Sequence, residues 1–330
     1  MSDHRPADTR PVTVLYVGAT GRSGSTLLER ILGQSGGCCA TGELAFIWER
    51  GLRANERCGC GEPFRACPFW TQVGKEAYGG WDRIDLDQVQ GLQHQVDRHR
   101  YLAALLAPRL APAYRRRLRR YAELLAPLYR AIATVSGRPV VIDSSKDASH
   151  ALLLRQVPGI DLRLVHLVRR SHGVAYSLTK TVRKPEVADA EAYMHRQSPA
   201  TTALLWAAEN LLLDGLRPLG VPSRRLRYEA LVARPREHAA ELLRLAGLDG
   251  ADRELGFLHD GEVQLGVDHT VAGNPMRFRQ GSVRLRADEQ WRGAMPRGQR
   301  LTVTAITWPL LLRYGYRLAA RDDAVREGAR

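Results

Sequence analysis

Residues 18–26 read Gly-Ala-Thr-Gly-Arg-Ser-Gly-Ser-Thr, directly after an apolar run and directly before the helical pattern Leu-Leu-Glu-Arg-Ile-Leu. Glycines let a backbone turn sharply so that successive N–H groups face one concavity, and the start of a helix adds positive partial charge there. Gly21, Ser23, Gly24, Ser25 and Thr26 then supply N–H and hydroxyl donors, while Arg22 supplies a charge on a forked donor set. That combination suits a phosphate group. A plain strand-to-helix turn would require neither the arginine nor the hydroxyls. Ser25 stands where a nucleotide triphosphatase loop carries its phosphate-reaching lysine, which argues against a kinase.

Cys58, Cys60 and Cys67 form a C-x-C-x6-C cluster. With only three thiols and no neighbouring histidine in the sequence, it argues against a closed zinc site, and a thiol cluster or labile disulfide is the expected reading. No metal ligand is assigned. Trp206 and Asn210, four apart on an apolar helical stretch, are expected to be core and a satisfied polar contact.

The elements that must position these groups follow from hydrophobic patterning. Residues 12–17, 139–142 and 162–168 are short β-branched and aliphatic runs, the mark of strands buried on both faces. Each leads into a helical stretch, at 25–32, 148–157 and 173–181, and a fourth candidate strand, 224–228, precedes a helical pattern at 235–246. Strands alternating with helices predict an α/β fold with a mainly parallel sheet, whose ligands bind at the carboxyl ends of the strands. Residues 48–135 are rich in Leu, Ala and Arg at helical spacing and predict a helical insertion or cap. Within it, Tyr-Arg-Arg-Arg-Leu-Arg-Arg-Tyr at 114–121 is expected to be a solvated basic face. A single domain over 1–330, with residues 1–10 as a flexible tail, is the expected organisation.

Lys plus Arg number 49 against 35 Asp plus Glu, a formal charge of +14 that makes anionic partners plausible. No zinc-finger spacing or aromatic-basic RNA motif accompanies that charge, so nucleic acid is not an expected partner. The polar N-terminal residues and the absence of a long apolar stretch imply neither a secretory signal nor a transmembrane segment, and a cytoplasmic location is expected.

Two families share such features. Gly18, Gly21 and Gly24 fit the G-x-x-G-x-x-G of short-chain dehydrogenases, and Tyr176 with Lys180 fits their Y-x-x-x-K, so an NAD(P)-dependent oxidoreductase is an alternative; a non-catalytic polyanion binder is another. The chain nevertheless most resembles the sulfotransferases that use 3′-phosphoadenosine 5′-phosphosulfate (PAPS), especially the tyrosylprotein and carbohydrate branches. Arg22-Ser23-Gly24-Ser25-Thr26 resembles their 5′-phosphosulfate loop, R-S-G-[ST]-[ST]. Leu-Val-His-Leu-Val-Arg169, with Ser177 eight residues on, resembles their 3′-phosphate element, and a strand-end arginine and a serine in the next helix can converge on one dianion.

Further likenesses extend over most of the chain. Thr41-Gly42-Glu43 resembles the turn that carries the catalytic base, Ser145-Lys146-Asp147 a K-D turn, and Arg227-Tyr228-Glu229 a segment whose Tyr lies near the nucleotide; Gly273 to Arg279 sits where a late PAPS-binding loop is found. The family often has Asp-Pro after the 3′-phosphate arginine, whereas Arg170-Ser171 follows here. The resemblance implies a P-loop-like three-layer sandwich and in-line sulfuryl transfer from PAPS to a hydroxyl, or less favourably an amine, releasing adenosine 3′,5′-bisphosphate without a required metal. It implies Glu43 as base, with Arg22 and Lys146 on the bridging and leaving oxygens. Gly21 to Thr26, Arg169, Ser177, Tyr228, Asn274 and Arg277 would hold the nucleotide as two anion sockets facing it from opposite ends. His150, one turn beyond Lys146, is a reserve base. The acceptor, a small molecule, carbohydrate or lipid, would be shaped by residues 48–135 and 183–199.

Overall fold

The computed structural model describes residues 10–182, 193 and 195–318. Five parallel strands form the central sheet in the order β2-β3-β1-β4-β5: β1 Val12–Ala19, β2 Cys38–Ala40, β3 Val140–Lys146, β4 Ile160–Val168 and β5 Ser223–Arg227. Side chains alternate strictly along β1. Val14 and Tyr16 enter one apolar cluster, and Leu15, Val17 and Ala19 enter the cluster on the opposite face. That two-sided burial explains why the strand is a continuous apolar run.

One face is covered by α1 (Ser25–Gly33), α9 (Tyr228–Ala233) and α10 (Pro235–Leu245), through Leu28, Ile31, Leu231 and Leu242 among others. The other face is covered by α5 (Pro112–Ser136), α6 (Ala148–Leu154) and α8 (Pro199–Asp214), through Leu128, Ile132, Leu153 and Leu213. The result is three layers, helix-sheet-helix. α2 (Pro68–Tyr78), α3 (Leu86–Val96) and α4 (Leu102–Leu106) complete the 48–135 segment, whose described residues hold no strand beyond a single bridge between Arg57 and Pro63. α7 (Ser171–Thr179) follows β4, and α11 (Trp291–Ala294) and α12 (Arg297–Arg313) close the described chain.

Several expectations change in detail. Tyr228 is not strand: β5 stops at Arg227 and Tyr228 opens α9. β2 is only three residues long, too short for any periodicity, yet it pairs with β3 and forms the sheet edge. A second, antiparallel sheet of β6 (Leu258–His259), β7 (Glu262–Leu265) and β8 (Gly281–Arg284) also escapes the sequence, because each strand is four residues or fewer. The expected late loop, residues 273–279, lies within the longer connection between β7 and β8, residues 266–280, hereafter the late loop. The basic run of α5 is solvated as expected: Arg115, Arg116, Arg119 and Arg120 are exposed while Tyr114, Leu118 and Tyr121 are buried. Cys58, Cys60 and Cys67 do have a histidine neighbour, contrary to the reading of the sequence, because the late loop returns His269 to within 3.3 Å of Cys67. Residues 1–9 and most of 183–199 lie outside the described residues or border them, which leaves the expected tail and the second acceptor-shaping segment unaddressed.

Candidate active site at the strand ends

Where β1 ends, the backbone turns through Arg22 at φ 68° and Gly24 at φ 93° before α1 begins. The left-handed conformation costs a non-glycine residue on the order of 1 kcal/mol or more, so a strained arginine marks a position held by its surroundings. Gly24 has no alternative: a Cβ there would lie 2.5 Å from the ring of Tyr228. Tyr228 closes over the loop, and the Arg169 guanidinium stacks on the same ring at 4.9 Å. Gly21, Arg22, Gly24, Ser25 and Thr26 all line one cleft of about 480 Å³, together with Glu43, Lys146, Arg169, Ser177, Tyr228 and Asn274.

The two expected sockets share that cleft, but they adjoin rather than stand apart. Arg22 Nε donates to Ser177 Oγ at 3.0 Å, and Arg169 donates to the Arg22 carbonyl at 2.9 Å. Arg169 is nevertheless only partly neutralised, by Asp288 at 3.2 Å, a residue that also lies 3.9 Å from Lys180. Burial and then the charge of Arg169 push the Arg22 pKa down, because two guanidinium groups are held side by side. An anion placed between them would relieve that repulsion.

Across the cleft, Glu43 and Lys146 form an ion pair. Lys146 ends β3 at φ 78°, a second strained non-glycine at the rim. Gly42, at φ 81°, makes the turn that presents Glu43; a Cβ on it would meet the Val271 nitrogen at 2.7 Å. Beneath this turn lies Glu29 of α1, fully buried, accepting from Gly42 N–H and, at 2.6 Å, from the Ser144 hydroxyl. Burial lifts its pKa to about 8 against the pull of those two donors. Glu29 therefore braces the Glu43 turn against β3, a role that the sequence hid behind an ordinary helical glutamate.

Three expected residues do not reach the cleft. Ser23 is fully buried and its hydroxyl pairs with that of Thr20 at 2.8 Å inside the loop. Arg277 is fully buried and donates to the carbonyls of Thr270, Val271 and Arg57, each at 2.7 Å, so it clasps backbone instead of lining the site. His150, the reserve base, is locked between Asp97 at 2.6 Å and Asp143 at 3.6 Å; these carboxylates raise its pKa to about 10 despite burial, and it lies outside the cleft. Arg50 and Asp288 line the cleft without having been singled out, since no local motif marks them, and Met276 of the expected late loop lines it too.

Arg170, which replaces the family's more frequent aspartate, is held over Trp291 at 5.3 Å and Tyr316 at 5.6 Å, while Ser171 bonds Thr307 at 2.8 Å. The C-terminal helices thus fix the loop after Arg169. Trp206 is core, as expected, and its indole N–H holds the Arg169 carbonyl at 2.9 Å. Asn210 is satisfied by His166 and the Trp206 carbonyl. The Tyr176 and Lys180 pair forms only a cation–π contact at 4.7 Å.

A second cavity of about 520 Å³ shares Gly21, Lys146, Leu178 and His195 with the cleft. Its walls are largely apolar, from Val174, Leu205, Trp206 and Leu212, with His99, Asp147 and Glu209 as polar points. His99 pairs with Glu209 at 2.8 Å, which raises the imidazole pKa, and burial followed by repulsion from Glu209 lifts Asp147 to about 6. No described helix is long and apolar enough to cross a membrane.

A family model described as "Sulfotransferase family" matches residues 15–252. A search of curated proteins returned no significant match. Among solved structures, the sulfotransferase domain of the Synechococcus PCC 7002 olefin synthase is similar at 18% identity and TM-score 0.48, covering 94% of this chain and 98% of that one. The sulfotransferase domain of the curacin biosynthetic pathway is similar at 16% identity and TM-score 0.48, covering 94% and 99%. A Mycobacterium avium sulfotransferase is similar at 12% identity and TM-score 0.45, covering 95% and 79%.

Proposed function

Because the chain belongs to the sulfotransferase family, we propose that it transfers a sulfuryl group from PAPS to a hydroxyl by in-line displacement and releases adenosine 3′,5′-bisphosphate. The observation that carries this reading is the meeting of Arg22, Arg169 and Ser177 on one cleft whose far wall is the Glu43 and Lys146 pair. Arg169 and Ser177 address the 3′-phosphate, and the backbone from Gly21 to Thr26 addresses the 5′-phosphosulfate. Tyr228 packs over the loop and Asn274 closes it from the late loop, where its N–H reaches Thr26 Oγ1 at 3.4 Å.

The acceptor, a small-molecule, carbohydrate or lipid hydroxyl, enters from the apolar cavity that meets the cleft at Lys146. Glu43 exchanges its ion pair with Lys146 for a hydrogen bond from the acceptor hydroxyl. The acceptor oxygen forms its bond to sulfur as the bond from sulfur to the bridging phosphate oxygen breaks, and the hydroxyl proton passes to Glu43. Lys146, released from Glu43, joins Arg22 in neutralising the charge that develops on the leaving phosphate.

Thermal-shift titration with adenosine 3′,5′-bisphosphate and with AMP tests the donor assignment. The bisphosphate should stabilise the protein far more, and equal shifts would remove the 3′-phosphate role of Arg169 and Ser177. In the same assay Glu43→Gln should retain the bisphosphate shift while turnover falls by about 10²-fold or more. Turnover close to that of the unsubstituted protein would exclude Glu43 as base.

A further inference from the structure

Four side chains outside the cleft converge on one point. Cys60 Sγ lies 3.7 Å from Cys67 Sγ, and His269 Nδ1 lies 3.3 Å from Cys67 Sγ and 3.8 Å from Cys58 Sγ. All four potential ligand atoms fall within 4.8 Å of one another. A tetrahedral zinc ion with Zn–S near 2.3 Å and Zn–N near 2.0 Å has ligand–ligand edges of about 3.5–3.8 Å. The three separations match those edges to within a few tenths of an ångström. A disulfide would need sulfurs about 2.05 Å apart and would use only two of the thiols, leaving the third sulfur and the imidazole unexplained.

The surroundings are built for thiolates. Backbone N–H groups of Cys60, Glu62 and Trp70 point at the sulfurs of Cys58, Cys60 and Cys67 respectively, the kind of outer hydrogen bond that supports metal-bound sulfur. Cys67 caps the N-terminus of α2, with Pro68 at its first position, so the helix end also favours a negative sulfur. The imidazole is fixed in turn: Phe69 stacks on it at 4.8 Å with the planes 15° apart, and Trp70 Nε1 holds the His269 carbonyl at 2.9 Å. Gly59 lets the two segments approach closely, since a Cβ there would strike Thr270 Oγ1 at 2.5 Å.

We propose that Cys58, Cys60, Cys67 and His269 form a closed tetrahedral site for one structural Zn²⁺ ion. Three thiolates and an imidazole suit a borderline-soft cation and not Mg²⁺ or Ca²⁺, which take oxygen ligands. Four protein ligands leave no open position, so the ion has a structural role and not a catalytic one. Its effect is mechanical. The site pins the start of the 48–135 segment to the late loop four residues before Gly273, and Gly273 and Asn274 form part of the cleft wall.

The full-length chain, purified from zinc-supplemented growth without chelator, should carry about one zinc per chain by elemental mass spectrometry. Exchange for Co²⁺ should produce thiolate-to-cobalt charge transfer and the intense visible bands of a tetrahedral ion. Cys60→Ser, at the half-buried thiol, and His269→Ala should each lower zinc retention during dialysis against a mild chelator by about tenfold or more. Should either variant fail to fold, the metal content and cobalt spectrum of the unsubstituted chain still decide the matter. A metal-free folded chain with freely titratable thiols, or with a disulfide within the cluster, would overturn the site. Chelation should also weaken adenosine 3′,5′-bisphosphate binding; that expectation rests on the proposed donor, whereas the metal content does not, so the two readings fail separately.

Discussion

Arg30 and Arg277 differ from Arg22 and Arg169 in almost everything except their side chain. The first two are completely buried and held by carbonyls or a carboxylate. Arg30 holds Asp268 at 2.8 Å, the Met276 carbonyl at 3.0 Å and the Gly266 carbonyl at 2.6 Å, and thereby ties the late loop to α1. Arg277 clasps the same loop from within. Arg22 and Arg169 instead lie side by side on one cleft, with Asp288 as a shared counter-charge that is one-third exposed. One pair ties the late loop to the fold, and the other lines the cleft, where Arg22 meets Ser177 and Arg169 meets the Arg22 carbonyl and Asp288. The same side chain is thus a buried clasp in one region and part of the cleft wall in the other.

The largest effect expected from this contrast is on stability. Arg30→Met leaves the Asp268 carboxylate buried and unpaired, and should cost about 3–5 kcal/mol in chemical denaturation. A loss below about 1 kcal/mol would show that the late loop does not depend on the clasp.

Glu29 separates the two regions by pH. Its folded pKa, near 8, stands above its unfolded value, so the folded protein holds this proton longer than the unfolded chain does. The resulting stability is complete at pH values below the ordinary carboxylate range and drains away as the pH rises towards 8, by an amount on the order of a few kcal/mol. Glu29→Gln should remove that segment of the stability–pH profile. An unchanged profile would mean that the brace beneath Glu43 is not titrating.

Arg169→Ala should weaken adenosine 3′,5′-bisphosphate binding about 10- to 100-fold, from lost charge-assisted hydrogen bonds worth about 1.5–3 kcal/mol, and leave AMP binding unchanged. Isothermal titration with both nucleotides reads this, and equal losses for both would assign Arg169 to the fold, alongside Arg30. The smallest effect belongs to Asp288→Asn. Removing the counter-charge should tighten bisphosphate binding by a few-fold, less than about 1 kcal/mol, given the exposure of the pair. A weakening would show that Asp288 orients Arg169 and does not compete for it.

Legibility followed sequence distance. The Arg22 loop, Lys146 and Arg169 sit where readable strands end, whereas Glu43 follows a strand too short to read and Ser177 lies within α7, so that only the resemblance to the family's motifs points to those two. Arg277 misled because a basic residue in a ligand-proximal loop reads the same whether it faces an anion or a carbonyl. Asp288, Arg50 and Glu29 carry no local signature at all. His269 lies 202 residues beyond Cys67, and only the pairing of the late loop with the Cys58 turn makes them neighbours.

The sequence alone determined the parallel sheet, through apolar runs with alternating sides, and determined the donor set of the Arg22 turn, because both depend on residues adjacent along the chain. The folded chain alone decided that Arg22 adjoins Arg169 and Ser177, that the Glu43 turn rests on a buried Glu29, and that three thiols meet an imidazole. Those arrangements depend on which segments the core packs together, and hydrophobic burial is non-directional, so it specifies that packing only once the whole chain has been placed.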